Sequence, residues 1–475
     1  MKTTRRAAMT LAAATTLGLA ARPAFAQGRK TIRVAIGTQD TTINCATGGL
    51  LVRELGLMEK YLPRTGAYAG VDWQVEWKNF TSGAPLTNEM VAGKLDFGSM
   101  ADFPGAFNGA AFQKAGRRSL FINALSGSTT GSGNGIVVPK DSPVQSLADL
   151  KGKTISVPFA STAHGMLLRA IQAQGWDPLK DVTITTQAPE VAGPALQAGK
   201  VEAHADFVPF AELFPYRGFA RKIFDGSQAA APTFHGTLVD EAYAQQYPEV
   251  VVAVLRAAIE ADRLIAAEPE KYSELIAKVT GIEAEVNYLF HGPLGLQTRD
   301  LSWKPEFRQA VRTSVETLRL LKRTDSDIDV DAFIQDRYVR AAFAAAGLDY
   351  ESQLRNTARA PLKAKDARTG KAIDNTSRVA QVWLQGEALV RHYASPESAL
   401  ADLADQEKAG RKARVVYAQD RESGNKLLVA DAWFVLGQGG AIDAFLLQGQ
   451  AQAWAARHGG GRVVDFAGAR AALAA

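Results

Sequence analysis

Four short stretches of this chain hold the side chains that could do chemistry on a small polar molecule. Gly37-Thr38-Gln39-Asp40-Thr41-Thr42-Ile43-Asn44-Cys45 is a polar loop leading from an apolar run towards a helix that starts near Gly48. Thr81-Ser82-Gly83-Ala84-Pro85 opens a second helix, and Ser126 to Gly135 sets four glycines among small polar residues. Phe159-Ala160-Ser161-Thr162-Ala163-His164-Gly165 opens a third. Backbone amides at a helix start, flanked by hydroxyl and amide side chains, suit polar or anionic groups, because the unpaired N–H groups and the helix dipole both favour negative charge. Any one such loop could equally be an ordinary capped turn. Their recurrence points to one shared cleft.

A second set of residues is softer. His164, His204, His235 and His291 lie in the same region as Cys45, Met90, Met100 and Met166. Imidazole, thiolate and thioether suit a transition metal, but no pair has the spacing of a known metal motif. A histidine-lined pocket for an organic or oxyanion ligand is therefore preferred to a metal or metal-complex (copper) carrier. Catalysis finds no constellation: Ser161 and His164 lack the strained elbow and the third partner of a nucleophilic site. Gly131-Ser132-Gly133-Asn134-Gly135 has the wrong spacing for a dinucleotide fingerprint, and there is no phosphate-binding loop. Neither an enzyme nor a cofactor is expected.

The elements that must position these loops alternate along the chain. Apolar strands at Ile32 to Gly37, Val71 to Trp77, Leu95 to Gly98 and Ser119 to Ala124 are separated by helical patterns at Gly49 to Tyr61 and Pro85 to Ala92. Such repetition implies a parallel sheet with helices on both faces, and ligands bind at the carboxyl ends of its strands. A second α/β series runs from Ile136 to about Phe224, the stretch Phe224 to Gly236 returns, and Pro248 to Leu321 is almost wholly helical. Two crossings with an inserted lobe give a hinged clamshell. The fold expected is α/β: a two-lobed binding-protein clamshell, with lobe 1 at 27–130 and 230–350 and lobe 2 at 131–229. A polar linker follows at 351–365, then a small C-terminal α+β domain at 366–475 in which the order strand, strand, helix, strand occurs twice.

Composition limits the partners. Lys2, Arg5 and Arg6 precede an apolar run from Ala7 to Ala21 that closes on Ala24-Phe25-Ala26, a secretory signal of 1–26 read by the twin-arginine or the general route. Its loss, with Lys2, Arg5, Arg6 and Arg22, takes the formal charge of +5 down by four to +1, so the basicity is no argument for nucleic acid. No later apolar run approaches the roughly 18 residues of a membrane span. Cys45 is the only cysteine, which rules out an internal disulfide. An exported, periplasmic protein that is not an integral membrane protein is expected.

Three segments carry a resemblance. Gly48-Gly49 through Leu55-Gly56-Leu57-Met58-Glu59-Lys60-Tyr61-Leu62, Met90-Val91-Ala92-Gly93-Lys94-Leu95-Asp96-Phe97-Gly98, and Ser146-Leu147-Ala148-Asp149-Leu150-Lys151-Gly152-Lys153-Thr154-Ile155-Ser156-Val157 resemble the nitrate/sulfonate/taurine family of ABC-importer binding proteins. The similarity runs from about Thr31 to Lys322. It implies periplasmic capture of a small polar or anionic ligand between two lobes and an ABC permease and ATPase complex as partner. Carried over by position, it places Gln39, Thr42 and Asn44 after the first strand, Ser82 and Gly83 in the second loop, then Asp102 and Ser126. Ser161, Thr162 and His164 face them from the other lobe, with Gln187, Asp206 and His235 completing the wall. Carboxylates at Asp102 and Asp206 would argue for a ligand with its own donors or positive charge.

The tail carries a second resemblance. Ala432-Trp433-Phe434-Val435 and the stretch Ala451 to Phe466 are similar to the end of copper-binding accessory lipoproteins of nitrous oxide reductase. In that family a Cys-Gly-Met element supplies soft ligands; here Thr369-Gly370-Lys371 stands in its place, and a hydroxyl and an ammonium cannot replace thiolate and thioether. His392 and His458 remain, and the tail is read as a packing or docking module without that metal site.

Overall fold

The computed structural model describes residues 30–320, 328–356 and 359–474; the leader expected at 1–26 lies outside the described residues. Ile32, Val34, Ala35 and Ile36 are all buried, so the strand Thr31–Thr38 sits inside its sheet with both faces covered. Its neighbour Asp72–Asn79 alternates exposed and half-buried positions, the pattern of an edge. The sheet runs, by strand, Thr298–Arg299, Ser119–Ser128, Thr233–Asp240, Phe97–Ala101, Thr31–Thr38, Asp72–Asn79. The inserted sheet runs Thr183–Thr186, Thr154–Val157, Ala203–Asp206, Gly135–Pro139, Ala220–Asp225.

The expectation of a parallel sheet needs correcting, because both sheets are mixed. The returning strand Thr233–Asp240 is antiparallel to both its neighbours. The chain leaves lobe 1 at Ser128 and comes back beside it at Thr233, so the returning strand must run the opposite way. The first and last strands of lobe 2 face each other likewise, with Gly135 opposite Asp225. The two crossing segments touch: a Cβ on Gly131, at φ +99°, would lie 2.4 Å from the Ala231 carbonyl oxygen, and one on Gly226 would lie 2.2 Å from that of Gly131.

The helix expected over Gly49 to Tyr61 is two, Leu50–Glu54 and Leu57–Tyr61, broken where Gly56 turns to φ +61°. The long helical stretch is Pro248–Ala267, Pro269–Thr280 and Ala284–His291, then Pro305–Leu320 after an interruption that holds the short strand Thr298–Arg299.

In the tail, strands Ala380–Leu384 and Arg391–Tyr393, helix Pro396–Lys408 and strand Ala413–Gln419 are followed by the same order in Trp433–Leu436, Ile442–Phe445, Gln448–Arg457 and Arg462–Val464. In each unit the first strand lies between the other two, antiparallel to both. Strands Lys426–Leu428 and Trp433–Leu436 are separated by a 3₁₀ turn at Val429–Asp431.

The segment read as a polar linker, 351–365, makes packed contacts with both neighbours. Tyr350–Arg355 is helical, the Leu294 amide donates to the Ala360 carbonyl at 2.8 Å, and Arg359 donates to Gly424 O and Asn425 Oδ1. The tail also shares the clamshell's core, since Trp383, Val390, Val415, Tyr417 and Leu428 belong to the same buried apolar cluster. The Tyr288 ring lies tilted at 5.6 Å from those of both Trp383 and Tyr417, and Arg414 pairs with Glu285 at 2.7 Å and Glu274 at 2.6 Å. The Tyr417 hydroxyl donates to the Glu285 carbonyl at 2.7 Å. Tyr417→Phe is expected to lower stability by about 1 kcal/mol while keeping the ring contact; an unchanged calorimetric melting curve would show that this bond contributes nothing.

Candidate functional site

Three helices begin at one small cavity between the lobes. Gly83–Val91 brings Ser82, Gly83 and Ala84, and Asp102–Lys114 brings Ala101 and Pro104; Thr162–Ala173, from the opposite lobe, brings Ser161 and Thr162. The first two start without a side-chain cap, so their first-turn amides have no such competitor for a bound acceptor. They meet closely, since a Cβ on Gly83 would lie 2.5 Å from Pro104 Cβ. Gln39, Thr42 and His235 add polar groups from lobe 1, while Phe159, Ala160 and Phe207 form an apolar wall on lobe 2.

No lysine, arginine, aspartate or glutamate is among the residues lining the cavity. His235 adds no charge either, because burial pushes its pKa down to about 3. Asn44 Nδ2 lies 3.5 Å from His235 Nδ1; when that amide donates, the ring proton sits on Nε2. Three helix starts each aim a partial positive end at the site, and Asp102 stands in the first turn of one of them. Such a site can hold an anion without an ion pair.

The hydroxyls divide into spent and free. Ser161 Oγ donates to Pro158 O at 2.7 Å and accepts from the His164 amide, so it caps its helix. Thr162 Oγ1 donates to Asn134 Oδ1 at 3.3 Å. Gln39 Nε2 gives one bond to Ser99 O at 2.9 Å and has a second hydrogen. Thr42 Oγ1, by contrast, is fully buried with no hydrogen-bond partner. A buried hydroxyl in a cavity lining, with no acceptor from the protein, is able to donate to a bound acceptor.

Gln39, Thr42, Ser82, Gly83, Ser161, Thr162 and His235 are brought together here, whereas other positions expected at the site lie elsewhere. Asp102 turns away from the cavity and accepts from Thr233 Oγ1 at 2.8 Å, Ser314 Oγ at 3.0 Å and the Phe234 amide at 3.3 Å. Ser126 donates to Asn44 O at 3.1 Å, which supports the first loop from behind. The His164 ring stands between Phe103 and Phe159 and its Nδ1 accepts from the Ala160 amide, and Gln187 is absent from the lining. Asp206 is sealed inside lobe 2, bonded to His204 Nε2 at 2.9 Å and to the Phe207 amide at 2.8 Å. Neither carboxylate lines this cavity; Asp102 lines a second small one beside it, with Phe103, Asn134 and Thr162.

Phe207 and Phe159 give no signal of a site in the sequence, because an apolar side chain carries no donor or acceptor. Their positions at the ends of Ala203–Asp206 and Thr154–Val157 were the available clue. Nor do the soft ligands gather: among the described residues no group of three His, Cys, Asp or Glu could hold a metal ion. Burial, with Asp40 nearby, raises the Cys45 thiol far above its ordinary range and keeps it neutral.

Two α/β lobes joined by two crossings and closed over a cavity of helix starts define the binding-protein clamshell. Residues 84–272 match the family described as NMT1/THI5 like. The chain is 30% identical over 211 residues to the taurine-binding periplasmic protein of Escherichia coli, a match covering 43% of this chain and 62% of that one. The crystal structure of the Escherichia coli periplasmic aliphatic sulphonate-binding protein SsuA superposes with a TM-score of 0.52 at 26% identity, covering 64% of this chain and 97% of that one. The alkanesulfonate-binding protein SsuA of Xanthomonas axonopodis pv. citri, bound to MOPS, gives 0.54 at 24% identity over 65% and 99%.

Proposed function

We propose that this protein is exported to the periplasm, captures a small organic anion of the sulfonate class between its lobes, and hands it to the permease and ATPase of an ABC importer. The observation that carries this reading is the convergence of three helix starts from two lobes on a cavity without charged side chains. A sulfonate presents acceptors and no donors, which suits amides and the Thr42 hydroxyl, and Phe159 and Phe207 suit a short carbon chain. The kinship with taurine- and sulfonate-binding proteins supports the same ligand class.

The role is capture without chemistry. A run of hydrogen bonds links Ser156, His204 and Asp206, at 2.8 Å and 2.9 Å, but all three are fully buried inside lobe 2. A nucleophile sealed from the cavity has no substrate. The metal-carrier alternative is disfavoured by the dispersed soft ligands and the neutral Cys45 thiol.

Calorimetric titration with taurine, ethanesulfonate, nitrate and ethylamine tests the reading. Heat is expected with the two sulfonates and none with the amine. Binding of ethylamine but of no anion would sink it, and retention of a metal ion without anion binding would favour the carrier instead.

A further inference from the structure

The tail is anchored to one side of the clamshell and grips the other. Its anchor is the ring contact of Trp383 and Tyr417 with Tyr288, on helix Ala284–His291, reinforced by Arg414 and by the Val390 amide donating to Glu270 Oε1 at 3.1 Å. Its grip is at two points beyond the anchor. Asn425 Nδ2 donates to Ser132 Oγ at 2.8 Å, both residues buried, and Ser132 lies in the first crossing between the lobes. Further along lobe 2, Lys140 at the end of strand Gly135–Pro139 approaches Asp431 at 3.5 Å.

Between these points the tail does not fill the space beside lobe 2. A groove runs there, bounded by Arg221, Ile223 and Phe224 of the edge strand on one side and by Ala430, Trp433 and Leu447 on the other. Lobe 2 therefore has room to move against the tail and is tied to it chiefly through the crossing. Gln39, Thr42, Ser161, Thr162 and Phe207 are all buried, so a ligand reaches the cavity only when the lobes part.

We propose that the C-terminal domain is a brace on the hinge: fixed to helix Ala284–His291 and holding Ser132 through Asn425, it favours the closed relation of the lobes and sets how readily they open. A rotation about the crossings moves Ser132 and Lys140 relative to the anchored tail, and the Asn425–Ser132 bond must break or stretch. That bond is the stronger restraint, because both its partners are buried, whereas in the Lys140–Asp431 pair the lysine is half exposed and the pair contributes little. Arg359 holds Asn425 in place from the other side. The brace rests on the clamshell reading but on no particular ligand.

The test is made on the full chain without ligand. Spin labels at Lys114→Cys on lobe 1 and Lys180→Cys on lobe 2, both exposed, report the distance between lobes while the buried Cys45 stays unlabelled. Asn425→Ala and Ser132→Ala are each expected to raise the open population about three- to tenfold, the size of one neutral hydrogen bond. The pair together should do no more than either alone, since both delete the same bond. Ser132→Ala keeps the test decisive if Asn425→Ala folds poorly. A distance distribution unchanged in Ser132→Ala, with the melting temperature preserved, would overturn the proposal, and so would fully additive effects of the two substitutions.

Discussion

Thr42→Val is expected to weaken sulfonate binding by about ten- to a hundredfold and at the same time to leave the free protein as stable as before or up to about 1 kcal/mol more stable. The two effects have opposite signs for one reason. In the closed cavity the Thr42 hydroxyl is buried with no hydrogen-bond partner from the protein, and it caps nothing, although Thr42 stands at the start of the turn Ile43–Gly48. An unsatisfied buried donor costs free energy, and valine removes it while keeping the shape. A bound anion would supply the missing acceptor, and hydrogen bonds to charged groups contribute about 1.5–3 kcal/mol. Calorimetry with ethanesulfonate and a thermal melt of the free protein read the two quantities separately. Unaltered affinity would remove Thr42 from the site; a large loss of stability would mean that its hydroxyl bonds within the protein.

Asp102→Asn is expected to stabilise the protein by about 3 kcal/mol at pH 8 and to have little effect at pH 4. The carboxylate is buried, and burial raises its pKa to about 6 against the partly opposing bonds from Thr233, Ser314 and the Phe234 amide. A raised carboxyl pKa means that the folded protein prefers the protonated form. Its contribution to stability is complete below the ordinary carboxylate pKa of about 4 and is lost as pH rises through about 6. Asparagine stays neutral and can both accept from Thr233 and donate to Ser314. Denaturant unfolding across this pH range should show the wild-type slope and a flatter variant; parallel curves would show that Asp102 is not the group responsible. Because Ala101 and Pro104 of the same helix start line the cavity, removing this negative charge should also tighten anion binding at neutral pH.

The helix starts of the site were legible because they follow local rules. Ser161 before Thr162-Ala163-His164 reads as a cap, and it is one, accepting from the His164 amide at 3.2 Å. The same legibility misled about chemistry, since a hydroxyl that caps is no longer free for a ligand. Asp102 and Asp206 show the limit more sharply. Both follow strands and both stand where a pocket residue could stand, but a carboxylate is turned by whichever donors the rest of the fold presents. For Asp102 these are Thr233 and Ser314, distant in the chain; for Asp206 it is His204 on the same strand face. No spacing rule anticipates the partners of Asp102, more than a hundred residues away, whereas His204 stands only two residues before Asp206.

The sequence by itself determined what depends on neighbours in the chain: the alternation of apolar strands and helices that makes two α/β lobes, the glycine-rich first crossing, and the repeated strand, strand, helix, strand order of the tail. Periodicity and turn chemistry are short-range, so they survive reading in one dimension. Only the tertiary structure decided what depends on close approach: that the return strand is antiparallel, that Phe159 and Phe207 wall the cavity, that the carboxylates face away, and that Asn425 reaches Ser132. Each of these is set by packing between segments far apart in sequence, where direction and distance are fixed by the whole core and by no local signal.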